Sequence, residues 1–129
     1  MTERDNLRVE HDYIFDWNRL KKVAPLSQKP FELLDETLRD GLQSPSVTDP
    51  SIDDKLKLIH LMEGLGIASA DIGLPGAGAR AVDDVLAIAK EISSAKLKMK
   101  ATCAARTTVK DIEPIVEVVQ KTGVTVHLC

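Results

Sequence analysis

The sequence predicts an α/β fold in which parallel strands alternate with helices. Four short apolar segments with β character, at about 31–37, 67–72, 98–104 and 124–129, recur at intervals of about 25 to 36 residues. Between them lie stretches whose apolar residues recur at helical spacing, bounded by turn residues. A repeated unit of strand, turn and helix is typical of right-handed βαβ connections and a parallel sheet.

The first helix has a well-marked start. Either Asp49 caps it with Pro50 at the first helical position, or Ser51 caps it with Asp54 three residues later. Glycines end the helix at about residue 66. Its predicted apolar stripe is Ile52, Leu56, Ile59 and Met62, flanked by Leu58 and Leu65.

The later helices follow the same pattern. The turn GLPGAG at residues 73–78 predicts close backbone approach to a neighbouring loop or ligand, or else a phosphate cradle before the next helix. The second helix is predicted at 79–93. Thr108 with Asp111 predicts the start of the third, and Gly123 its end. Their predicted inward faces are Val82, Val85, Leu86, Ala89 and Ile92, then Ile112, Ile115, Val116 and Val119.

Composition favours one globular unit. The chain of 129 residues is 43% hydrophobic and 29% charged, with a net charge of −3 and 3% aromatic residues. A chain that is not basic and has few aromatics is a poor candidate for nucleic-acid binding. It has no run of eighteen apolar residues for a membrane span, and its first residues lack a signal-peptide pattern. We expect a cytoplasmic protein with reduced, buried thiols at Cys103 and Cys129.

The first thirty residues differ from the rest of the chain. They are polar, with scattered large apolar side chains such as Tyr13 and Trp17, and prolines interrupt any periodicity. We expect residues 1–30 to be an N-terminal arm or short helix. Its aromatic side chains would cap the strand layer or contact a partner subunit, unless it is a loosely packed leader.

Charge gathers where the first strand ends. The run LDETLRDGLQSP at residues 34–45 follows an apolar segment and contains an arginine, several carboxylates and an amide. In an α/β barrel the chemistry lies at the carboxyl ends of the strands. A complete (β/α)8 barrel takes on the order of 250 residues. We therefore predict that residues 31–129 form the N-terminal half of a TIM-barrel catalytic domain, strands 1–4, cut within the fourth strand.

The same run resembles the Asp-x-Thr-Leu-Arg-Asp-Gly-x-Gln motif of the isopropylmalate and homocitrate synthase family. These enzymes belong to a superfamily of TIM-barrel metal enzymes that includes hydroxymethylglutaryl-CoA lyase. The defining positions here are Asp35, Thr37, Leu38, Arg39, Asp40, Gly41 and Gln43. Three later segments, at 71–75, 103–106 and 126–127, resemble the family's next strand ends in order. The pattern is most similar to the 2-isopropylmalate synthase branch.

The resemblance implies a reaction. Such synthases condense the methyl carbon of acetyl-CoA with a 2-oxo acid and then hydrolyse the thioester, in amino-acid biosynthesis of the leucine type. A divalent metal (Mg, Mn or Zn) holds the oxo acid. By position, Asp40 matches the metal ligand and Arg39 the catalytic arginine, whereas Gln43, Asp71 and His127 match substrate-binding residues. The resemblance also implies a homodimer in the full-length protein.

The chain departs from the family pattern in three places. The carboxylate after strand two is usually glutamate, and the shorter Asp71 stands here. The lysine early in the first helix, Lys55, comes one residue later than usual, which indicates a slightly longer loop. The family's His-x-His metal pair belongs to a later strand, beyond Cys129. We therefore expect residues 1–129 to bind metal weakly.

Three hypotheses follow. The first is a 2-isopropylmalate-synthase-like acyltransferase, favoured by the Thr-Leu before Arg39 and by Ser44-Pro45 after Gln43. The second is a lyase of the hydroxymethylglutaryl-CoA type, which Leu42 favours. The third is a non-catalytic half-barrel that is stable only through association, because an open parallel sheet exposes edges and an apolar face. Under the first hypothesis too, we expect residues 1–129 alone to be inactive and to self-associate or aggregate.

Overall fold

A computed structural model describes residues 30–129, and the predicted arm lies outside this range apart from Pro30. Within it, residues Glu32–Cys129 form a compact unit. The strands are β1 (Leu34–Asp35), β2 (Ser69–Asp71), β3 (Lys100–Cys103) and β4 (Val126–Leu128). The helices are α1 (Ile52–Leu65), α2 (Ala79–Ser94) and α3 (Val109–Thr122).

The four strands form one parallel sheet in the order β1-β2-β3-β4. A helix follows each of the first three strands, which confirms the predicted alternation and a partial α/β barrel. The register pairs Asp71 with Thr102 and Thr102 with His127. Because paired residues of parallel neighbours point to the same side of a sheet, these three side chains share one face.

The strands are shorter than predicted. Apolar sequence extends over 31–37 and 67–72, but only two residues of β1 and three of β2 form the ladder. The backbone of Leu33 instead accepts hydrogen bonds from the N–H groups of Ala68 and Ser69 just before β2. Within residues 30–129, β2 is the one neighbouring strand of β1. The short length of β2 therefore limits how many residues of β1 can pair.

Helix α1 begins at the second of the two predicted caps. The Oγ of Ser51 accepts a hydrogen bond of 3.2 Å from the backbone N–H of Asp54. Asp49 is left free to form ion pairs with basic side chains. The helix ends at Gly66, which adopts a left-handed conformation with φ of 78°. Gly123 ends α3 in the same way, with φ of 72°.

The core lies between the helices and one face of the sheet. Its fully buried members come from all three helices and from β2 and β3, among them Ile59, Val85, Ile88, Ala89, Val118, Ala70, Ala101 and Cys103. On α3 the buried stripe contains Ile115 and Val118, and Val116 is exposed. The prediction that Val116 faces inward was therefore wrong, and Val118 takes that place in the buried stripe.

The cysteine prediction was half right. Both thiols are free, and Cys103 is buried on the helix side of the sheet. Burial, and then the charge of Asp71, raise the pKa of Cys103 to about 12. Cys129, however, is exposed, since β4 has one neighbouring strand within the described range.

The other face of the sheet carries no helix within residues 30–129 and bears Asp71, Thr102 and His127. This face would line the inside of a closed barrel. In the part of the chain that the structure describes, no helix is both long and apolar enough to cross a membrane.

Candidate active site

Arg39 lies at the centre of a cluster of carboxylates just after β1. Its Nε–H donates to Oδ2 of Asp71 at 2.9 Å, and its terminal nitrogens donate to Glu36 at 2.9 Å and to Asp40 at 3.1 Å. A turn positions the arginine, because the N–H groups of Arg39 and Gly41 both bind the carbonyl of Glu36. The end of β1 and the end of β2 are thereby joined through one guanidinium.

Asp71 is the buried hydrogen-bond partner of Arg39. Its side chain is fully buried, and Oδ1 accepts the backbone N–H of Gly73 at 3.2 Å. The thiol of Cys129 lies 3.4 Å from Oδ2. A buried carboxylate needs such partners, since leaving it unpaired is costly. In this arrangement Asp71 orients Arg39 and has no surface of its own to offer a ligand.

Arg39 keeps hydrogen-bonding capacity for a ligand. A guanidinium has five N–H donors, and three of them bind Glu36, Asp40 and Asp71. Its side chain is 21% exposed, so it is accessible at the mouth of the sheet. The hydrogen bond to Asp71, followed by the charges of the neighbouring carboxylates, raises the pKa of Arg39 despite some desolvation. The group is a permanent cation that can bind an anionic oxygen.

Asp40 is the predicted metal ligand. Its side chain is 63% exposed, and Oδ1 accepts one hydrogen bond from Arg39. An open carboxylate suits a hard divalent cation. Among residues 30–129, however, no group of three or more histidine, cysteine, aspartate or glutamate side chains is arranged to hold a metal. These residues therefore do not form a complete metal site, and Asp40 could be one ligand of a larger set.

Gln43 shares a cavity with Arg39. Gln43 ends a short 3-10 turn, Gly41–Gln43, and is exposed. The cavity, about 570 Å³ in volume, lies between this turn and the start of α2, with Lys55 and Arg80 also on its walls. Its size is within the range of small-molecule sites.

Lys55 is buried at the edge of this cavity between two aspartates. Its Nζ lies 2.7 Å from Asp49 and 2.7 Å from Asp84, and its side chain is 6% exposed. Burial lowers the pKa of Lys55, but the hydrogen bonds to the two carboxylates outweigh it, so the net pKa is raised. The lysine joins the loop before α1 to helix α2.

His127 lies on the same sheet face as Asp71 but outside the arginine cluster. It is exposed and, two strands away from Asp71, lines a second cavity of about 360 Å³ together with Lys98 and Lys100. The structure thus brings together Arg39, Asp40 and Asp71, and places Gln43 on the adjoining cavity wall. It does not bring His127 into contact with them.

Two members of the cluster were not predicted as site residues. Glu36 lies three residues before Arg39, a spacing at which side chains meet in a helical turn, so a sequence signal existed. Cys129 reaches Asp71 only because β4 and β2 flank the same strand. Nothing in the sequence around Cys129 indicates that contact.

The turns after β2 and β3 are fixed against each other and against α2. At Gly73, which has φ of 147°, an added Cβ would lie 2.7 Å from Cγ2 of Val85. At Gly76 it would lie 2.8 Å from Oδ1 of Asp111. Asp111 in turn accepts hydrogen bonds from the backbone and guanidinium of Arg106. The predicted close approach of the glycine turn is thus confirmed.

Comparison with known proteins identifies the family to which this chain belongs. Residues 30–129 match the family model described as HMGL-like. A 2-isopropylmalate synthase 2 of Caldanaerobacter subterraneus subsp. tengcongensis is 32% identical over 97 residues, which are 74% of this chain and 23% of that protein. A 2-isopropylmalate synthase of Lactococcus lactis subsp. cremoris is 33% identical over 93 residues, 72% of this chain and 17% of that protein.

Homocitrate synthase AksA of Methanocaldococcus jannaschii is 34% identical over 110 residues, which are 82% of this chain and 26% of that protein. The chain therefore spans about a quarter or less of the length of these curated relatives. The match covers every strand and helix described above. The chain belongs to the HMGL-like family.

Proposed function

We propose that the protein is an acyltransferase of the 2-isopropylmalate synthase type, which condenses acetyl-CoA with a 2-oxo acid. The observation that carries this proposal is Arg39, held at the mouth of the sheet by the buried Asp71 and left with two free N–H donors. The names of the similar synthases support it at the level of the family.

Arg39 would act on developing negative charge. In a condensation of this kind, the carbonyl oxygen of the oxo acid becomes an alkoxide as the new carbon–carbon bond forms. A preorganised cation stabilises that charge without reorganising at the moment of reaction. Asp71 would keep the guanidinium in position, and Gln43 would donate a hydrogen bond to the substrate from the adjoining cavity wall.

The proposed cofactor is a divalent metal ion, Mg, Mn or Zn, with Asp40 as one ligand. Because residues 30–129 contain no group of three suitable ligands, its remaining ligands would have to come from other parts of the protein. A homodimer, a cytoplasmic location and a place in leucine-type biosynthesis belong to the same proposal. Growth of a leucine-requiring strain that lacks its own synthase would test the last of these.

The direct test is an assay of the purified protein with acetyl-CoA and a panel of 2-oxo acids, scored by release of the free thiol. Acetoacetate formation from hydroxymethylglutaryl-CoA, measured in parallel, tests the lyase alternative. Thiol release that depends on the oxo acid would support the synthase, whereas we expect residues 1–129 alone to be inactive. Acetoacetate without oxo-acid-dependent thiol release would favour the lyase, and neither product would contradict both activities for this chain.

A half-barrel that acts only by association is the second candidate. Within residues 30–129, β1 and β4 each have a single neighbouring strand, and Leu33, Leu34 and Leu128 are each about half exposed. Open edges of this kind favour pairing with another chain. We expect the 129-residue chain to self-associate in size-exclusion chromatography with light scattering. A monodisperse monomer with measurable turnover would rule this candidate out.

A further inference from the structure

One buried hydroxyl in the described part of the chain has no hydrogen-bond partner. Among the buried side-chain nitrogen and oxygen atoms of residues 30–129, only Oγ1 of Thr102 lacks a partner within the protein. Folded proteins satisfy nearly all such atoms, because leaving a buried polar group without a partner destabilises the fold. The exception leaves this hydroxyl available to a hydrogen-bond partner from outside the chain.

The position of Thr102 indicates where that partner would be. Thr102 is paired in register with Asp71 on one side and with His127 on the other, and all three share the open face of the sheet. Asp71 binds Arg39 at 2.9 Å. Neighbouring strands lie about 4.8 Å apart. A small molecule held by the free N–H groups of Arg39 would thus be within reach of the Thr102 side chain.

The orientation of the side chain allows this contact. Thr102 as a residue is partly exposed although its Oγ1 is buried, so its exposed surface belongs to its other atoms. The methyl and hydroxyl groups of threonine are similar in size and occupy staggered positions about 120° apart. A single rotation about χ1 therefore carries the hydroxyl from its buried position toward the open face.

We propose that Thr102 is a substrate-binding residue whose hydroxyl hydrogen-bonds an oxygen of the bound 2-oxo acid, opposite Arg39. The hydroxyl can donate to a carboxylate or carbonyl oxygen of the ligand. This inference rests on the proposed function, because it takes the ligand to be the oxo acid of that reaction. It adds β3, between β2 and β4, to the strands that contact the ligand.

The test compares Thr102→Val, which keeps the shape and removes the hydroxyl, with Thr102→Ser, which keeps the hydroxyl. KM and kcat are measured with pyruvate and longer 2-oxo acids, and the melting temperature without ligand. We expect T102V to raise KM for the oxo acid about tenfold or more, since a hydrogen bond to a charged group is worth about 1.5–3 kcal/mol. T102S should restore a KM near that of the parent, and KM for acetyl-CoA should not change.

Without ligand, T102V should melt at the same temperature as the parent protein or higher, because it removes an unpartnered hydroxyl. A clearly lower melting temperature would mean that the hydroxyl has a partner in the free protein, and would overturn the inference. Unchanged KM in T102V, with an active parent, would overturn it and leave the proposed function standing. A parent protein that binds and turns over no oxo acid would overturn both.

Discussion

The Nε–H of Arg39 donates a 2.9 Å hydrogen bond to Oδ2 of Asp71, a carboxylate with no exposed surface. The two residues are 32 positions apart: Arg39 follows β1 and Asp71 is the last residue of β2, so the bond fixes the turn after β1 against the end of β2. The aspartate thus orients the arginine.

Arg39→Lys should abolish most of the proposed activity. Lysine keeps the charge but cannot bind Asp71, Glu36 and Asp40 with one planar group. We expect kcat to fall about 10²- to 10³-fold, the range seen when a preorganised donor to a developing oxyanion is lost. Asp71→Asn should cost less, about 10- to 100-fold, because it acts through Arg39. A greater loss in D71N than in R39K would contradict these roles.

Arg39 and Asp71 should also be coupled in stability. Arg39→Gln leaves the buried carboxylate of Asp71 without its cation. The double variant, Arg39→Gln with Asp71→Asn, also removes that unpaired negative charge. The double variant should therefore be more stable than the sum of the single variants predicts, by about 0.5–3 kcal/mol. Urea unfolding of the parent, both single variants and the double variant measures this. Strict additivity would show that the two side chains are not energetically coupled.

Gly73→Ala should destabilise the protein. The new Cβ would lie 2.7 Å from Cγ2 of Val85, and φ of 147° is strained for any residue with a side chain. We expect a loss of about 1–3 kcal/mol, as for overpacking. In a G73A/V85A double variant the two losses should be less than additive.

Gly64→Ala is the matched control for this prediction. Gly64 lies within α1 and an added Cβ would meet no atom within 4 Å. Alanine at such a site stabilises a helix by roughly 0.5–1 kcal/mol. Equal effects at Gly64 and Gly73 would show that the close approach to Val85 does not matter.

Asp111 should contribute to stability in a pH-dependent way. Hydrogen bonds from Arg106, first of its side chain and then of its backbone, lower the pKa of Asp111 from 3.8 to about 2. A lowered folded-state pKa stabilises the fold above pH 3.8, and this stabilisation is lost as the pH falls from 3.8 to about 2. The Asp111→Asn variant should therefore melt at a lower temperature than the parent at pH 7. This difference in melting temperature should shrink as the pH falls from 3.8 to about 2.

Glu113→Gln, on the exposed side of the same helix, is the control for Asp111→Asn. It should change the melting temperature little at any pH. A constant gap between D111N and the parent from pH 7 to pH 2 would mean that the asparagine acts through packing and that the charge of Asp111 is not involved.

Lys55→Met should destabilise the fold more than Lys57→Met. Lys55 is buried and binds Asp49 and Asp84, so its loss removes the cation that Asp84 binds and leaves Asp49 paired with Arg80 alone. We expect a cost of about 1–3 kcal/mol. Lys57 is on the same helix, but it is 73% exposed and pairs with Asp54 at the surface, where ion pairs contribute little. Guanidinium unfolding of both variants compares them, and equal effects would contradict the role assigned to burial.

The sequence by itself determined the order of the elements and the strand end at which charged side chains gather. Periodicity, capping residues and glycines predicted the three helices to within about one residue and the parallel sheet that the structure shows. The motif around Arg39 predicted the strand end where charge gathers. These features are local, since helix ends and apolar stripes depend on residues a few positions apart.

Tertiary structure decided the contacts between residues far apart in the chain. The length of β1 depended on the length of its neighbour β2, and the buried face of α3 depended on the position of α2. The partners of Asp71, the burial of Lys55 and the unpaired hydroxyl of Thr102 all arise between different strands and helices. Such contacts depend on register and packing in three dimensions, and a one-dimensional pattern of residue types does not encode those distances.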